Sequence, residues 1–221
     1  MVDVQNDFAD PAGGLSVRGG DTIVPTVNGE VALARASGAL VVATQDWHPE
    51  STPHFAKDGG IWPVHCVAGT WGAELHPALE LPDDAPRIRK GANGEDGYSG
   101  FTMRDPTTGD TIPTPLEALL REAGVTDVVV VGLATDYCVK ATALDAARLG
   151  FATTVLRECV AAVDLEAGDG ERALEELTAA GILLHSTRMR GAPGAPEATA
   201  ADGDDREDDD DRPAGAPGAV S

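Results

Sequence analysis

The sequence predicts an α/β fold in which a doubly wound parallel β-sheet carries helices on both faces, giving three αβα layers. Short apolar segments alternate with helical segments along the chain, and this order implies right-handed crossovers between parallel strands. Ala39–Thr44 is a continuous apolar run typical of a strand buried on both faces, and Asp127–Gly132 contains four consecutive valines. The 221 residues suit one such domain.

Further elements follow from hydrophobic spacing and helix-start signals. Additional strands are predicted at Val2–Val4, Arg87–Lys90, Phe151–Leu156 and Ile182–Leu184, and helices at Thr22–Ser37, from Thr114–Pro115 onward, at Asp136–Leu149 and at Glu171–Ala180. Ligands of parallel sheets bind outside the carboxyl ends of the strands. Residues that follow strands are therefore the first candidates for a functional site.

Composition excludes some classes of function. The formal net charge of −21 argues against binding to nucleic acid or to an anionic membrane, because both need basic patches. Residues 191–221 are rich in Pro, Gly, Ala and Asp and hold nine acidic and two basic residues. We therefore predict a folded domain over residues 1–190 and a disordered acidic tail over residues 191–221.

Cysteine usage and the first residues bear on the compartment. The chain has three cysteines, and an odd, low number favours a reducing environment. The start MVDVQNDF has neither the basic nor the long apolar region of a secretory signal, and no run of 18 apolar residues occurs. We predict a cytoplasmic protein.

Cys138 is the leading candidate nucleophile. It follows the four-valine strand at the predicted start of a helix, where backbone N–H groups stabilise a thiolate and an oxyanion. This position predicts a pKa below the usual value of about 8.5. An isolated cysteine is more often a small buried hydrophobe, and that interpretation applies to Cys66 and Cys159.

Asp3 and Lys90 are candidate partners of that thiol. Each ends a predicted strand, so both lie at the same sheet edge as Cys138. A lysine favours the thiolate, and a carboxylate can accept and return its proton. Taken singly, either residue is more typical of a surface charge.

Three histidines and an aspartate form a more specific pattern. Asp46, His48, His54 and His65 follow the spacing D-x-H-x5-H-x10-H directly after a predicted strand. Three imidazoles and one carboxylate suit a single divalent ion such as Zn, Fe or Mn. The alternative is a solvated loop with scattered histidines.

The segment KGANGEDGYSGF is rich in glycine but lacks the G-K-[ST] of a phosphate-binding loop. We interpret it as a lid or turn that brings Tyr98 and Phe101 toward the site. Phe8 and Trp62 could add flat walls, although ordinary core packing is an equal alternative for each aromatic residue.

Five motifs over residues 1–188 resemble those of bacterial nicotinamidases, also called pyrazinamidases, of the isochorismatase-like cysteine hydrolase superfamily. These motifs are VDVQNDF, TQDWHPESTPHF, WPVHC, KG with the later YSGF, and GLATDYCVKATALDA. The resemblance implies an amidohydrolase domain that converts nicotinamide to nicotinate and ammonia in NAD salvage, and pyrazinamide to pyrazinoate. A small-molecule substrate is the implied partner, and homo-oligomer formation is compatible with the sequence.

The resemblance also implies a role for each candidate residue. The catalytic triad would be Asp3, Lys90 and Cys138. The oxyanion hole would be formed by Ala134 and Cys138, with a cis peptide bond between Leu133 and Ala134. The walls around the substrate ring would be Phe8, Trp62 and Tyr98, and the metal ligands would be Asp46, His48, His54 and His65. The implied mechanism passes through a thioester on the cysteine.

One departure from the family and two rival functions complete these expectations. Family members have several more residues before the first aspartate, so we expect a misassigned or truncated start that weakens strand pairing and holds Asp3 poorly.

One rival is another hydrolase on this fold, an isochorismatase or N-carbamoyl amidase, but such relatives generally lack the metal-ligand pattern. The other is a non-catalytic metal-binding or interaction protein.

Overall fold

The computed structural model describes residues 1–186, so the predicted tail over residues 191–221 lies outside the described residues. The strands are β1 (Ala43–Asp46), β2 (Arg87–Lys90), β3 (Thr102–Arg104), β4 (Thr111–Pro113), β5 (Asp127–Leu133), β6 (Ala152–Ala161) and β7 (Leu183–His185). The helices are α1 (Asn6–Ala9), α2 (Val24–Ala36), α3 (Leu116–Glu122), α4 (Lys140–Arg148) and α5 (Asp169–Ala179). Within residues 1–186, none of these helices has the length and apolar character needed to cross a bilayer.

The parallel sheet is joined at its centre by the first three residues. Strand β1 pairs with β2, and β5, β6 and β7 pair in that order, all in parallel. The Val2 N–H donates to the Val131 carbonyl at 2.7 Å, and the Asp3 N–H donates to the Thr44 carbonyl at 3.3 Å. The segment 1–3 therefore lies between β5 and β1, and the strand order is β2, β1, segment 1–3, β5, β6, β7.

Two apolar clusters cover the opposite faces of this sheet. Helix α2 packs its buried valines against one face, with Val131 and Leu156 below them. Helices α4 and α5 pack against the other face, over Val130 and Val155. Because side chains alternate along a strand, Val130 and Val131 serve different layers. The predicted α/β fold with three layers is confirmed.

The structure differs from the predicted elements at several boundaries. Strand β1 begins at Ala43 rather than Ala39, and β6 continues to Ala161. The helix predicted from Asp136 begins with a π-helical turn at Thr135–Val139, and α4 follows it. The antiparallel hairpin β3–β4 was not predicted, because its short strands are largely polar and partly exposed.

The expectation that the chain start holds Asp3 poorly is wrong for this structure. The Thr44 N–H donates to the Met1 carbonyl at 2.9 Å, and the Leu133 N–H donates to the Val2 carbonyl at 2.8 Å. Asp3 has no exposed surface. Segment 1–3 therefore pairs on both sides, and this pairing fixes Asp3 at the carboxyl edge of the sheet.

The close approach of β5 to segment 1–3 requires a glycine at position 132. Gly132 has a φ of +119°, and a Cβ there would collide with the Val2 carbonyl oxygen. We predict that Gly132→Ala lowers the free energy of unfolding by at least about 2 kcal/mol more than Gly124→Ala does. Gly124 also has a positive φ, of +68°, but a Cβ at that position would meet no other atom within 4 Å.

Chemical denaturation of the two variants measures this difference. Gly124→Ala reports the cost of the left-handed backbone alone, so equal losses in both variants would contradict the proposed collision with segment 1–3.

Candidate active site

The three predicted catalytic side chains converge at the carboxyl edge of the sheet. Lys90 Nζ donates to Asp3 Oδ2 at 2.8 Å and lies 3.6 Å from Cys138 Sγ. Asp3 ends the central segment 1–3, Lys90 ends β2, and Cys138 lies just beyond β5, so parallel strand ends bring all three together. Each is buried, with at most 6% of its surface exposed.

Asp3 is held by several contacts. Its φ of +47° lies in the left-handed region, which aspartate tolerates better than most residues. The Thr44 hydroxyl donates to Asp3 Oδ1 at 2.5 Å, while Lys90 occupies the other oxygen. Burial raises the pKa of Asp3 above its ordinary value, although the Lys90 ammonium opposes this shift. A raised pKa makes the carboxylate a better proton acceptor.

Lys90 carries a charge that two carboxylates share. Its Nζ lies 2.9 Å from Asp46 Oδ1 as well as 2.8 Å from Asp3 Oδ2, and it also donates to the Tyr98 carbonyl at 3.0 Å. Burial alone would lower the pKa of Lys90, but the two carboxylates raise it well above its usual value. Lys90 therefore remains an ammonium ion.

The prediction of a lowered pKa for Cys138 is wrong. Burial raises the pKa of this thiol well above its ordinary value, and the nearby Asp3 and Asp46 add to the effect, while Lys90 opposes it. The sequence position predicted a helix N-terminus that favours the thiolate, whereas Cys138 is 6% exposed and lies within a π-helical turn, where burial disfavours the charged form. The resting group is a thiol, so attack on a substrate requires a base beside it.

The turn before Cys138 has the predicted backbone. The Leu133–Ala134 peptide bond is cis. The Ala134 carbonyl accepts hydrogen bonds from the N–H groups of Tyr137 and Val139, at 3.1 and 3.0 Å. These bonds tie Ala134 to the π-helical turn that contains Cys138.

The three predicted histidine ligands form one buried cluster. His48, His54 and His65 each offer a ring nitrogen, and these atoms lie within 4.8 Å of one another. Neither ring nitrogen of His48 has a hydrogen-bond partner among residues 1–186, although His48 is only 3% exposed. Buried polar atoms in native proteins are normally satisfied, so an imidazole without a partner fits a metal ligand.

Asp46, the fourth predicted ligand, lies between the histidines and Lys90. Its Oδ2 lies 3.8 Å from His48 Nε2, on the side of the cluster that faces Lys90. Burial alone would raise the pKa of Asp46, but the Lys90 ammonium and His48 lower it below its ordinary value. Burial lowers the pKa of His65 to about 4. A carboxylate and a neutral imidazole are the forms that bind metal ions, so the residues fit a divalent cation.

Sequence reasoning missed Gln5, which holds Asp46 by its backbone. Gln5 Oε1 accepts the Asp46 N–H at 2.8 Å, and Gln5 Nε2 donates to the carbonyls of Asp46 and Ala73, both at 2.8 Å. Asp7 was missed as well, and its Oδ2 accepts the Cys66 N–H at 2.6 Å, next to His65. Both lie in the motif VDVQNDF, but no local pattern shows which distant backbone groups they reach.

The predicted aromatic residues lie around the two clusters. The Phe8 ring lies 5.3 Å from His65, and Trp62 Nε1 donates to the Tyr98 hydroxyl at 3.1 Å. Tyr137, the residue before Cys138, joins them with its ring 4.9 Å from Trp62. These rings give the site an apolar wall beside its charged groups.

The expectation that Phe101 turns toward the site is wrong. Phe101 is 2% exposed and packs in the core, with its ring 6.1 Å from that of Phe151. Two residues of YSGF therefore serve different purposes, since Tyr98 lies beside the site while Phe101 anchors the following hairpin.

Comparison with known proteins agrees with this geometry. An isochorismatase domain matches residues 1–188. The chain is 42% identical to a nicotinamidase/pyrazinamidase of Mycobacterium tuberculosis, and the match covers 83% of this chain and 95% of that protein. It is 38% identical to a nicotinamidase of Acinetobacter baylyi, and that match covers 85% of this chain and 91% of the relative. A crystal structure of Pyrococcus horikoshii pyrazinamidase in complex with zinc superposes with a TM-score of 0.75 at 44% identity, covering 84% of this chain and 96% of that one.

These matches extend over more than four fifths of this chain and more than nine tenths of each relative. The chain therefore belongs to the isochorismatase family, within which it is a hydrolase of the nicotinamidase type.

Proposed function

We propose that this enzyme converts nicotinamide and water to nicotinate and ammonia, and pyrazinamide to pyrazinoate, through a thioester on Cys138, as a cytoplasmic step of NAD salvage. The observation that carries the proposal is the position of the Lys90 ammonium, 2.8 Å from Asp3 and 3.6 Å from Cys138. The histidine cluster on the other side of Lys90 supports a metal-dependent reaction. Nicotinate-bound PnC1 of L. infantum, 37% identical with a TM-score of 0.73, supports the choice of substrate.

Acylation starts from a thiol and a carboxylate. Asp3 takes the proton of Cys138, and the Lys90 ammonium stabilises the thiolate that results. Sulfur attacks the carboxamide carbon, and the oxygen of that group becomes negatively charged. We propose that the N–H groups of Ala134 and Cys138 hold this oxyanion, an interaction worth about 3 kcal/mol per donor. Asp3 then protonates the nitrogen, the C–N bond breaks, and ammonia leaves.

Deacylation uses the same groups in reverse. Asp3 takes a proton from water, and the resulting hydroxide attacks the thioester carbon. The C–S bond breaks, nicotinate leaves, and Asp3 returns its proton to the Cys138 sulfur. Lys90 remains an ammonium ion throughout, because its two carboxylate partners raise its pKa.

The remaining residues bind and orient the substrate. Asp46, His48, His54 and His65 would hold a Zn, Fe or Mn ion, which supplies a Lewis acid for the pyridine nitrogen of the substrate when bound. Phe8, Trp62 and Tyr98 exclude water and pack against the ring. The ring is thereby oriented with its carboxamide toward Cys138, which converts the attack into an intramolecular step.

Replacing the nucleophile tests the thioester route. We predict that Cys138→Ala lowers kcat for ammonia release from nicotinamide by at least about 1,000-fold, because no other group replaces the attacking sulfur. The matched control is Cys159→Ala. Cys159 is also fully buried, in β6 on the α2 side of the sheet, and this variant is predicted to keep kcat within about threefold while losing some stability.

An ammonia assay at saturating nicotinamide measures both variants. Turnover by Cys138→Ala at the rate of the unaltered enzyme would rule out the thioester. Equal losses in both variants would point to damaged packing rather than to chemistry.

Metal removal tests the ion site. We predict that dialysis against a chelator abolishes nicotinamide hydrolysis, and that Zn, Mn or Fe restores it, because the ring loses its anchor. His48→Ala is predicted to weaken metal binding, whereas His76→Ala, which alters a histidine outside the cluster, leaves it unchanged. Full activity of protein shown to be metal-free would favour a metal-independent hydrolase of the same fold.

A further inference from the structure

Asp96 contacts a predicted metal ligand, although the ligand pattern does not include it. Its Oδ1 lies 2.8 Å from His54 Nδ1. The His54 side chain is 6% exposed and that of Asp96 is 37% exposed, so the pair extends from the cluster toward the surface. Asp96 belongs to the glycine-rich segment KGANGEDGYSGF, whose sequence predicts only a lid or turn.

This contact fixes which nitrogen of His54 carries the proton. Asp96 Oδ1 accepts the Gly97 N–H at 2.9 Å, so this oxygen acts as a hydrogen-bond acceptor beside His54 Nδ1. An ionised carboxylate only accepts hydrogen bonds, so Nδ1 must hold the proton and Nε2 keeps its lone pair. The same logic applies to His65, whose Nδ1 lies 2.7 Å from the Pro63 carbonyl oxygen. Both rings thus offer Nε2 to an ion.

The hairpin β3–β4 holds Asp96 in place. The Asp96 N–H donates to the Arg104 carbonyl at 2.9 Å, and the Arg104 N–H donates to the Asp96 carbonyl at 2.6 Å. The Gly97 N–H donates to Asp96 Oδ1 at 2.9 Å. Arg104 is the last residue of β3, so a regular element sets the position of this carboxylate.

We propose that Asp96 is a positioning residue for the metal site, which orients His54 and makes its Nε2 a stronger electron donor. This inference rests on the ion site of the proposed function. Asp96 touches neither ion nor substrate, and acts through His54. Such outer carboxylates fix the ring and raise the basicity of the ligand nitrogen, and their loss typically weakens metal binding about 10- to 100-fold.

The test is the zinc affinity of the full-length chain, freed of metal and titrated in competition with a chromogenic chelator. We expect Asp96→Ala to raise the Kd for zinc about 10- to 100-fold, because His54 loses both its acceptor and the nearby charge. Asp96→Asn should have a smaller effect, because an amide oxygen still accepts the Nδ1 proton but carries no charge. Partial rescue by asparagine is the signature of a positioning role.

Glu95→Gln is the matched control, because it removes the same charge from the neighbouring position. Glu95 bonds to Asn93 and not to His54, so zinc affinity should change by less than about twofold. If Asp96→Ala does not fold, Asp96→Asn compared with Glu95→Gln decides the question.

Three outcomes would overturn the inference. Unchanged zinc affinity in the Asp96 variants would contradict the positioning role of Asp96 but would not contradict the proposed ion site. An equal loss of zinc affinity in Glu95→Gln would show that the effect comes from removing a negative charge near the site and not from the hydrogen bond to His54. Failure of the unaltered chain to bind zinc would contradict the proposed ion site, and therefore also the role of Asp96.

Discussion

The buried ammonium of Lys90 is the interaction on which the rest of the site depends. It lies 2.8 Å from Asp3 and 2.9 Å from Asp46, and all three groups are withdrawn from water. A buried charge is stable only with a partner, and removing one member of such a set leaves the others uncompensated. One side of Lys90 faces the thiol of Cys138 and the other faces the carboxylate of the histidine cluster. The nucleophile and the ion site are therefore parts of one electrostatic unit.

The sheet delivers these groups to one place through its strand order. Segment 1–3 lies between β1 and β5, so Asp3 is flanked by the strands that lead to Asp46 and to Cys138. Lys90 ends β2, directly opposite Asp46 in the parallel register. Gly132 lets β5 approach the Val2 backbone closely enough for this arrangement. The chemistry therefore depends on main-chain contacts as much as on the reacting side chains.

The features that could be predicted from sequence are those with a local signal. A run of valines predicted β5, and the spacing D-x-H-x5-H-x10-H predicted the histidine cluster. Positions at the ends of strands predicted Asp3, Lys90 and Cys138 as site residues. The features that were missed depend on tertiary contacts. Burial reversed the expected pKa shift of Cys138, packing against Phe151 placed Phe101 in the core, and the carbonyl and N–H groups that Gln5 reaches belong to distant segments. The hairpin β3–β4, which positions Asp96, was not predicted because its strands are short, largely polar and partly exposed.

A double-mutant cycle between Asp3 and Lys90 tests the central claim most directly. The free energy of unfolding would be measured for Asp3→Asn, for Lys90→Met and for the two changes combined. We predict that the double variant is less destabilised than the sum of the single variants, by about 1.5 kcal/mol or more, because Lys90→Met alone leaves the buried Asp3 carboxylate without its cation, a cost that is absent when residue 3 is asparagine. Additive losses would show that the ammonium and the carboxylate do not stabilise one another, and would contradict the account.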